Sequence, residues 1–255
     1  MTFTLDNFEF FFLILVRISG FIYTAPFFSL RNVPNRIKIG LSIFLAAILY
    51  YSVPGEMPVY STVIGFAILV VKEAIAGVLM GWFANISYHI LAFSGQIIDM
   101  EIGFSMVNEL DPTTHIQTTI TSNLYGYLIM LMMIITDLHH YILRALIDSF
   151  QVIGLGKAII RPNMYELMVD FMINYFVIAF RIVLPVFAAI LLVNTVLAIL
   201  AKVASQLNMF VIGMQLKLIV GLAVMMLIIG MVPSVADFIY KSMMEMLKGA
   251  IRWMT

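Results

Sequence analysis

Ionisable side chains interrupt nearly every apolar stretch of this chain, and that conflict limits how it can fold. Arg17, the Lys72–Glu73 pair, Arg181, Lys202 and Lys217 lie within or between segments that otherwise read as membrane-spanning. A charge at the centre of a bilayer costs roughly 2.5–3.5 kcal/mol on insertion scales, so such residues should face protein or water. A lone bundle turning all of them to lipid would insert poorly. The expectation is one component of a helical assembly, with partners covering surfaces that a monomer would expose.

Composition closes off most other classes. With 63% hydrophobic and 11% charged residues in a chain of 255 and a mean hydropathy of +1.06, neither a soluble globular domain nor a disordered chain fits. The formal net charge is zero, so electrostatics make no case for nucleic acid. There is no cysteine, which excludes disulfides, thiolate nucleophiles and Cys-based metal sites. The first residues carry Asp6 and Glu9 but no Lys or Arg, unlike a secretory signal, so the first helix is expected to be retained.

Apolar segments fall at about 8–29, 39–53, 59–80, 82–98, 116–136, 171–201 and 205–232. Crossing about 30 Å of hydrocarbon takes roughly 20 residues. Segments 39–53 and 82–98 are short by that measure, and 171–201 is too long for one simple span. Pro26, Pro34, Pro54 and Pro58 punctuate the first third; Pro185 and Pro233 fall in or at the end of later helices. These features predict an all-α chain of polytopic, membrane-associated helical hairpins packed on neighbours, with no strand-like alternation. If 59–98 is a two-helix hairpin, the basic clusters at Arg31–Lys38, Arg144–Arg161 and Lys241–Arg252 can share one side of a membrane, with the acids at Glu56 and Asp99–Asp111 on the other.

Residues 99–122, DMEIGFSMVNELDPTTHIQTTITS, form the longest polar passage. Asp111 followed by Pro112 has the form of a helix start, because the carboxylate caps free N–H groups and proline suits the first helical position. A helix over 112–136 is therefore predicted. That leaves Gly103–Leu110 as a loop bearing Phe104, Met106, Val107 and Leu110 as apolar teeth. An ordinary exposed connection accounts for its polarity. A loop that enters and obstructs a water-filled lumen accounts also for the teeth among the acids, since irregular backbone at membrane depth must be buried in protein or line a cavity.

The passage 205–221, SQLNMFVIGMQLKLIVG, sets Gln206, Asn208, Gln215 and Lys217 in an apolar run. Either it turns between helices with its polar groups in water, or its amides bond to neighbouring subunits. Arg181, one turn before Pro185, is expected on a kinked helix, meeting a partner's carboxylate. Lys72 and Glu73 could pair locally or with separate partners. The tandem His139–His140 near Asp137 suggests interfacial histidines rather than a metal site, because adjacent helical residues point in different directions. His89 and His115 stand alone. Most of the 20 methionines read as adaptable core packing.

Four passages together resemble the FliR family of the flagellar type III export gate, whose virulence counterpart is the SctT family: RISGFIYTAPFFSLRNVPNRIKIGLS (17–42), KEAIAGVLMGW (72–82), GQIIDMEIGFSMVNELDPTTHIQ (95–117) and SQLNMFVIGMQLKLIVGL (205–222). The third favours the flagellar branch. The family usually has proline where this chain has Ser205 and Gln215. The resemblance implies a subunit that assembles with FliP and FliQ into a closed helical complex raised largely out of the membrane plane, joined by FlhB and fed by FlhA. It implies a FliP-like part over 1–136 and a FliQ-like part over 137–255, in the bacterial inner membrane at the flagellar basal body. It also implies a pore plug over Gly103, Phe104, Ser105, Met106, Val107, Asn108, Glu109, Leu110, Asp111 and Pro112. Arg17, Lys72, Glu73, Arg181, Gln206, Asn208, Phe210 and Lys217 are expected to contact other subunits.

No GxSxG, HExxH or phosphate-binding glycine loop occurs, so neither catalysis nor a cofactor is expected. The competing class is a secondary transporter with broken helices around a small-solute site. A comparison of 1–127 with 128–255 reveals no internal repeat in its favour.

Overall fold

The structure, a computed structural model, describes residues 5–30, 32–53, 58–104, 109–110, 117–159, 164–204, 206 and 208–255. Eight α-helices are described: α1 (Leu5–Thr24), α2 (Asn35–Leu49), α3 (Val63–Ile102), α4 (Ile120–Ile135), α5 (Leu138–Val152), α6 (Met164–Val203), α7 (Met209–Ile229) and α8 (Val232–Trp253). The one strand pairing among the described residues is a two-residue antiparallel ladder, β1 (Glu109–Leu110) with β2 (Gln117–Thr118), pairing Glu109 with Thr118 and Leu110 with Gln117. The chain is all-α, as its composition predicts. Four helices are long and apolar enough to cross a membrane, or five if α4 and α5 count as one bent span.

That is fewer spans than the seven apolar segments, and the difference corrects the predicted topology. The stretch expected to be a hairpin over 59–98 is one continuous helix, α3, of 40 residues. At 1.5 Å per residue it runs about 60 Å, twice the hydrocarbon thickness. No proline or chain reversal breaks it, because Gly77 and Gly81 are used to admit a neighbouring helix and not to turn. The charge scheme that put the two acidic clusters on one side rested on that hairpin and loses its premise. Lys38 also leaves the basic cluster assigned to it. It is 6% exposed and donates to the Ser29 carbonyl at 2.9 Å. α6, likewise 40 residues, carries Pro185 within it, and Pro233 sits at the second position of α8, where its missing N–H breaks no helical bond.

The chain divides into two compact units: residues 1–87, 134–171 and 239–255 in the first, 88–133 and 172–238 in the second. Each draws on both sides of residue 136. In the first unit, Leu13, Ile18 and Phe21 of α1, Met80 and Phe83 of α3, Ile142, Leu146 and Phe150 of α5 and Leu247 of α8 form the core, all at most 2% exposed. α8 is amphipathic there: Met243, Met246, Leu247 and Ala250 are buried, while Lys241, Glu245, Lys248 and Arg252 face outwards. In the second unit, Ile90 and Ile98 of α3 and Ala179, Val186 and Ile190 of α6 are fully buried.

The crossing of α1 and α3 is set by glycine. A Cβ at Gly77 would lie 2.1 Å from the Arg17 carbonyl oxygen, and one at Gly81 would lie 2.1 Å from Thr24 Oγ1 and 2.8 Å from the Phe21 carbonyl. The four-residue spacing puts both on one face and lets two backbones touch, as small-residue motifs do in membrane helices. Nothing in the sequence reading singled out this pair.

Candidate functional site

Two buried polar constellations organise the chain, one in each unit. In the first, the close approach at Gly77 brings α1 against α3 one turn from Glu73. Arg17 Nε donates to Glu73 Oε2 at 2.5 Å and its NH2 group to Oε1 at 3.0 Å. Its NH1 group donates to the carbonyls of Ser149 and Ile153 at 3.3 and 3.0 Å. The Gly154 carbonyl lies 3.5 Å from NH2, and the Gly156 N–H donates to Glu73 Oε1 at 2.7 Å. The guanidinium carbon sits 4.4 Å from the centre of the Phe150 ring. Both charged side chains are 0% exposed. Arg17 and Glu73 were expected to contact other subunits; both instead find their ionic partners inside this chain. Lys72, next in sequence but half-buried, does not share the pair, since neighbouring helical residues diverge.

The second constellation pins the base of the loop between α3 and α4. Thr121 N–H donates to Asp99 Oδ2 at 2.8 Å, and the Thr121 hydroxyl donates to the other carboxylate oxygen. Asp99 and Thr121 are both 0% exposed. α4 starts at Ile120 and not at the Asp111–Pro112 pair, because the free amide of Thr121 in its first turn is capped across the loop by a carboxylate from the last turn of α3. That carboxylate also faces the positive end of the α4 dipole. A Cβ at Gly95 would lie 2.5 Å from Ser122 Cα, so the glycine lets the two helix ends meet. The loop leaves α3 through Gly103, at φ 98, where L side chains are strained, and then pairs β1 with β2. Two buried hydroxyls at this end, Thr119 Oγ1 and Tyr125 OH, have no hydrogen-bond partner among the described residues.

Replacing Asp99 by Ala is expected to remove the cap and cost about 2 kcal/mol, the range for a cap combined with a charged hydrogen bond. Asn, which keeps an acceptor, should retain part of it. Amide hydrogen exchange at Thr121 and Ser122 measures this; unchanged protection in Asp99→Ala would show that the cap does not hold the helix start.

Of the ten residues expected to plug a pore, Gly103 and Phe104 are described and half-buried, and Glu109 and Leu110 are placed as backbone in β1. Ser105, Met106, Val107, Asn108, Asp111 and Pro112 lie outside the described residues, as do Glu56, His115 and Ser205. Among the expected contact residues, Arg181, Gln206, Asn208 and Phe210 are exposed and Lys217 is half-buried. Asn208 accepts from Phe210 N–H at 3.2 Å and caps α7.

His139 and His140 correct the expectation that adjacent histidines diverge. Asp137 takes a left-handed conformation at φ 54, which turns the chain into α5 and sets the two rings 4.1 Å apart. Together with Asp137 they are a trio whose possible ligand atoms lie within 4.8 Å of one another. The Asp137 and His140 side chains are 70% and 68% exposed, and His139 stacks on Phe27 at 5.5 Å. The trio has room for a cation but none of the burial that would fix a tight one.

Comparison with known proteins places this architecture. The profile of a family described as bacterial export proteins, family 1, matches residues 8–243. The flagellar biosynthetic protein FliR of Bacillus subtilis (strain 168) is 30% identical over 252 residues, 97% of this chain and 96% of that protein. Its namesake in Escherichia coli (strain K12) is 26% identical over 239 residues, 93% and 90% of the two chains. The one in Borreliella burgdorferi is 28% identical over 228 residues, 83% and 79%.

Proposed function

Because the chain belongs to the bacterial export proteins, family 1, and is a membrane-embedded component of the flagellar export apparatus, we propose that it is a structural and gating subunit of the export gate. In this reading it forms a closed entrance pore with FliP and FliQ type proteins in the bacterial inner membrane, alongside FlhB and FlhA type proteins, and performs no catalysis. Unfolded flagellar proteins pass through, driven by energy supplied elsewhere. The parts over 1–136 and 137–255 take FliP-like and FliQ-like places in the assembly. Residues 103–112 block the pore at rest.

The observation that carries the reading is the full-length match to flagellar export proteins. Three features of the chain support it. The helices α6 and α7 expose large apolar side chains such as Phe180, Leu192, Phe210 and Leu227 while carrying cations, a surface suited to protein neighbours rather than lipid alone. The loop proposed as the plug has an independently fixed base at Asp99–Thr121. The unpartnered hydroxyls of Thr119 and Tyr125 beside it call for water or a polar neighbour, as a lumen would provide.

Affinity purification from native membranes tests the proposal. The tagged chain is expected to bring down other export-apparatus proteins in a large hetero-complex. Recovery only as a monomer or small homo-oligomer would favour a self-contained transporter instead.

A further inference from the structure

Between residues 172 and 236 the sequence holds three cations, Arg181, Lys202 and Lys217, and no carboxylate. Among the described residues none of the three has an ionic or hydrogen-bond partner. Two of them are compatible with lipid phosphate. Lys202 sits in the last turn of α6, and Arg181 lies 21 residues earlier, about 31 Å away at 1.5 Å per residue, close to the hydrocarbon thickness. Each can reach a headgroup layer by snorkelling.

Lys217 cannot. α7 is 21 residues long, the length of one span, and Lys217 stands eight residues from its start and twelve from its end. Those separations are about 12 and 18 Å, beyond what a four-carbon stem covers. Lys217 lines a cavity of about 230 Å³ together with Asn194, Gly103, Gly213 and Met214. Gly103 leaves its wall open, since a Cβ there would meet nothing within 4 Å, and the Asn194 amide, without a partner among the described residues, offers a second N–H donor beside the ammonium. An ammonium and an amide N–H around one cavity are the chemistry that holds a carboxylate. Leu191, Phe210 and Leu218 nearby in the sequence of the same helices are exposed, so the group that brings the carboxylate must itself be apolar.

From this geometry we infer that Lys217 and Asn194 receive the Asp or Glu side chain of an apolar helix belonging to another subunit of the export apparatus. The inference rests on the assembly proposed above. The ion pair would neutralise α7 at mid-span and fix the register of the neighbouring helix.

The test compares complexes purified from native membranes through the wild-type chain, Lys217→Arg and Lys217→Met, each normalised to the amount of tagged chain. Lys217→Arg should recover other export proteins within about twofold of the wild type. Lys217→Met, which leaves the arriving carboxylate buried and unpaired, should recover at least about tenfold less. Wild-type recovery with Lys217→Met overturns the inference. A wild-type chain that brings down no other export protein counts against the assembly instead, so the two failures are distinct. Should Lys217→Met fail to accumulate, a photoreactive residue at position 217 decides. An adduct mapped within one helical turn of an Asp or Glu in another chain supports the inference; an adduct with phospholipid, with this chain itself, or none at all overturns it.

Discussion

Deleting residues 104–110 is expected to raise ion leakage across the membrane severalfold while the deleted chain still assembles into its complex. The proposed plug obstructs by bulk, through Phe104, Met106, Val107 and Leu110, whereas the fold around it is held by contacts outside the deletion. The Asp99 cap on Thr121, the approach of Gly95 to Ser122 and the packing of Ile102 against Gly221 all remain. Ten residues, Gly103 and 111–119, still link Ile102 to Ile120, enough to close a gap between helix ends already in contact. Leakage and assembly should therefore separate. Conductance measured on cells or liposomes bearing the deleted complex checks this, with recovery of the complex as the control. Normal assembly with unaltered conductance would remove the plug assignment.

Breaking the Arg17–Glu73 pair should be the most damaging single change to the fold itself. Removing one partner of a buried pair costs about 3–5 kcal/mol, because the survivor keeps its charge without compensation, and whole domains are stable by only about 5–15 kcal/mol. Arg17→Ala and Glu73→Ala are each expected to abolish accumulation of folded chain, or to lower its unfolding transition in detergent sharply. The surroundings make a further distinction possible. Arg17 also donates to the carbonyls of Ser149 and Ile153, and Glu73 accepts from Gly156. Exchanging the charges, with Glu at 17 and Arg at 73, would aim a carboxylate at carbonyl oxygens and a guanidinium at an N–H. The exchange should not rescue. A swapped chain that accumulates like the wild type would mean the pair matters only for its net charge, and wild-type stability of Arg17→Ala would mean it does not matter at all.

Some of this was legible beforehand. The helical class follows from long apolar segments without strand-like alternation, and the unusual character of 99–122 follows from acids set among apolar teeth. Arg17 and Glu73 stood out as charges too costly for lipid, but their destination was misjudged. Sequence distance hides that Gly77 admits α1 and so delivers Arg17 to Glu73, 56 positions away. The same limit explains the misplaced start of α4. Asp111–Pro112 is a good local cap, yet Asp99 reaches Thr121 from 22 residues back, and a local rule cannot see a cap that arrives through space. The false hairpin at 59–98 arose from splitting one apolar run by bilayer length, which α3, at about 60 Å, does not obey.

By itself the amino-acid order determined that this chain is helical, membrane-associated and burdened with charges that require company. Those properties depend on side-chain transfer free energies and local propensity, which each residue carries with it. Which charges are satisfied at home and which are left for a neighbour was decided only by the folded chain. Arg17, Lys38, Glu73 and Asp99 are closed off within it, whereas Lys217 finds no partner among the described residues. Pairing depends on distance in space, and glycine contacts between helices set that distance.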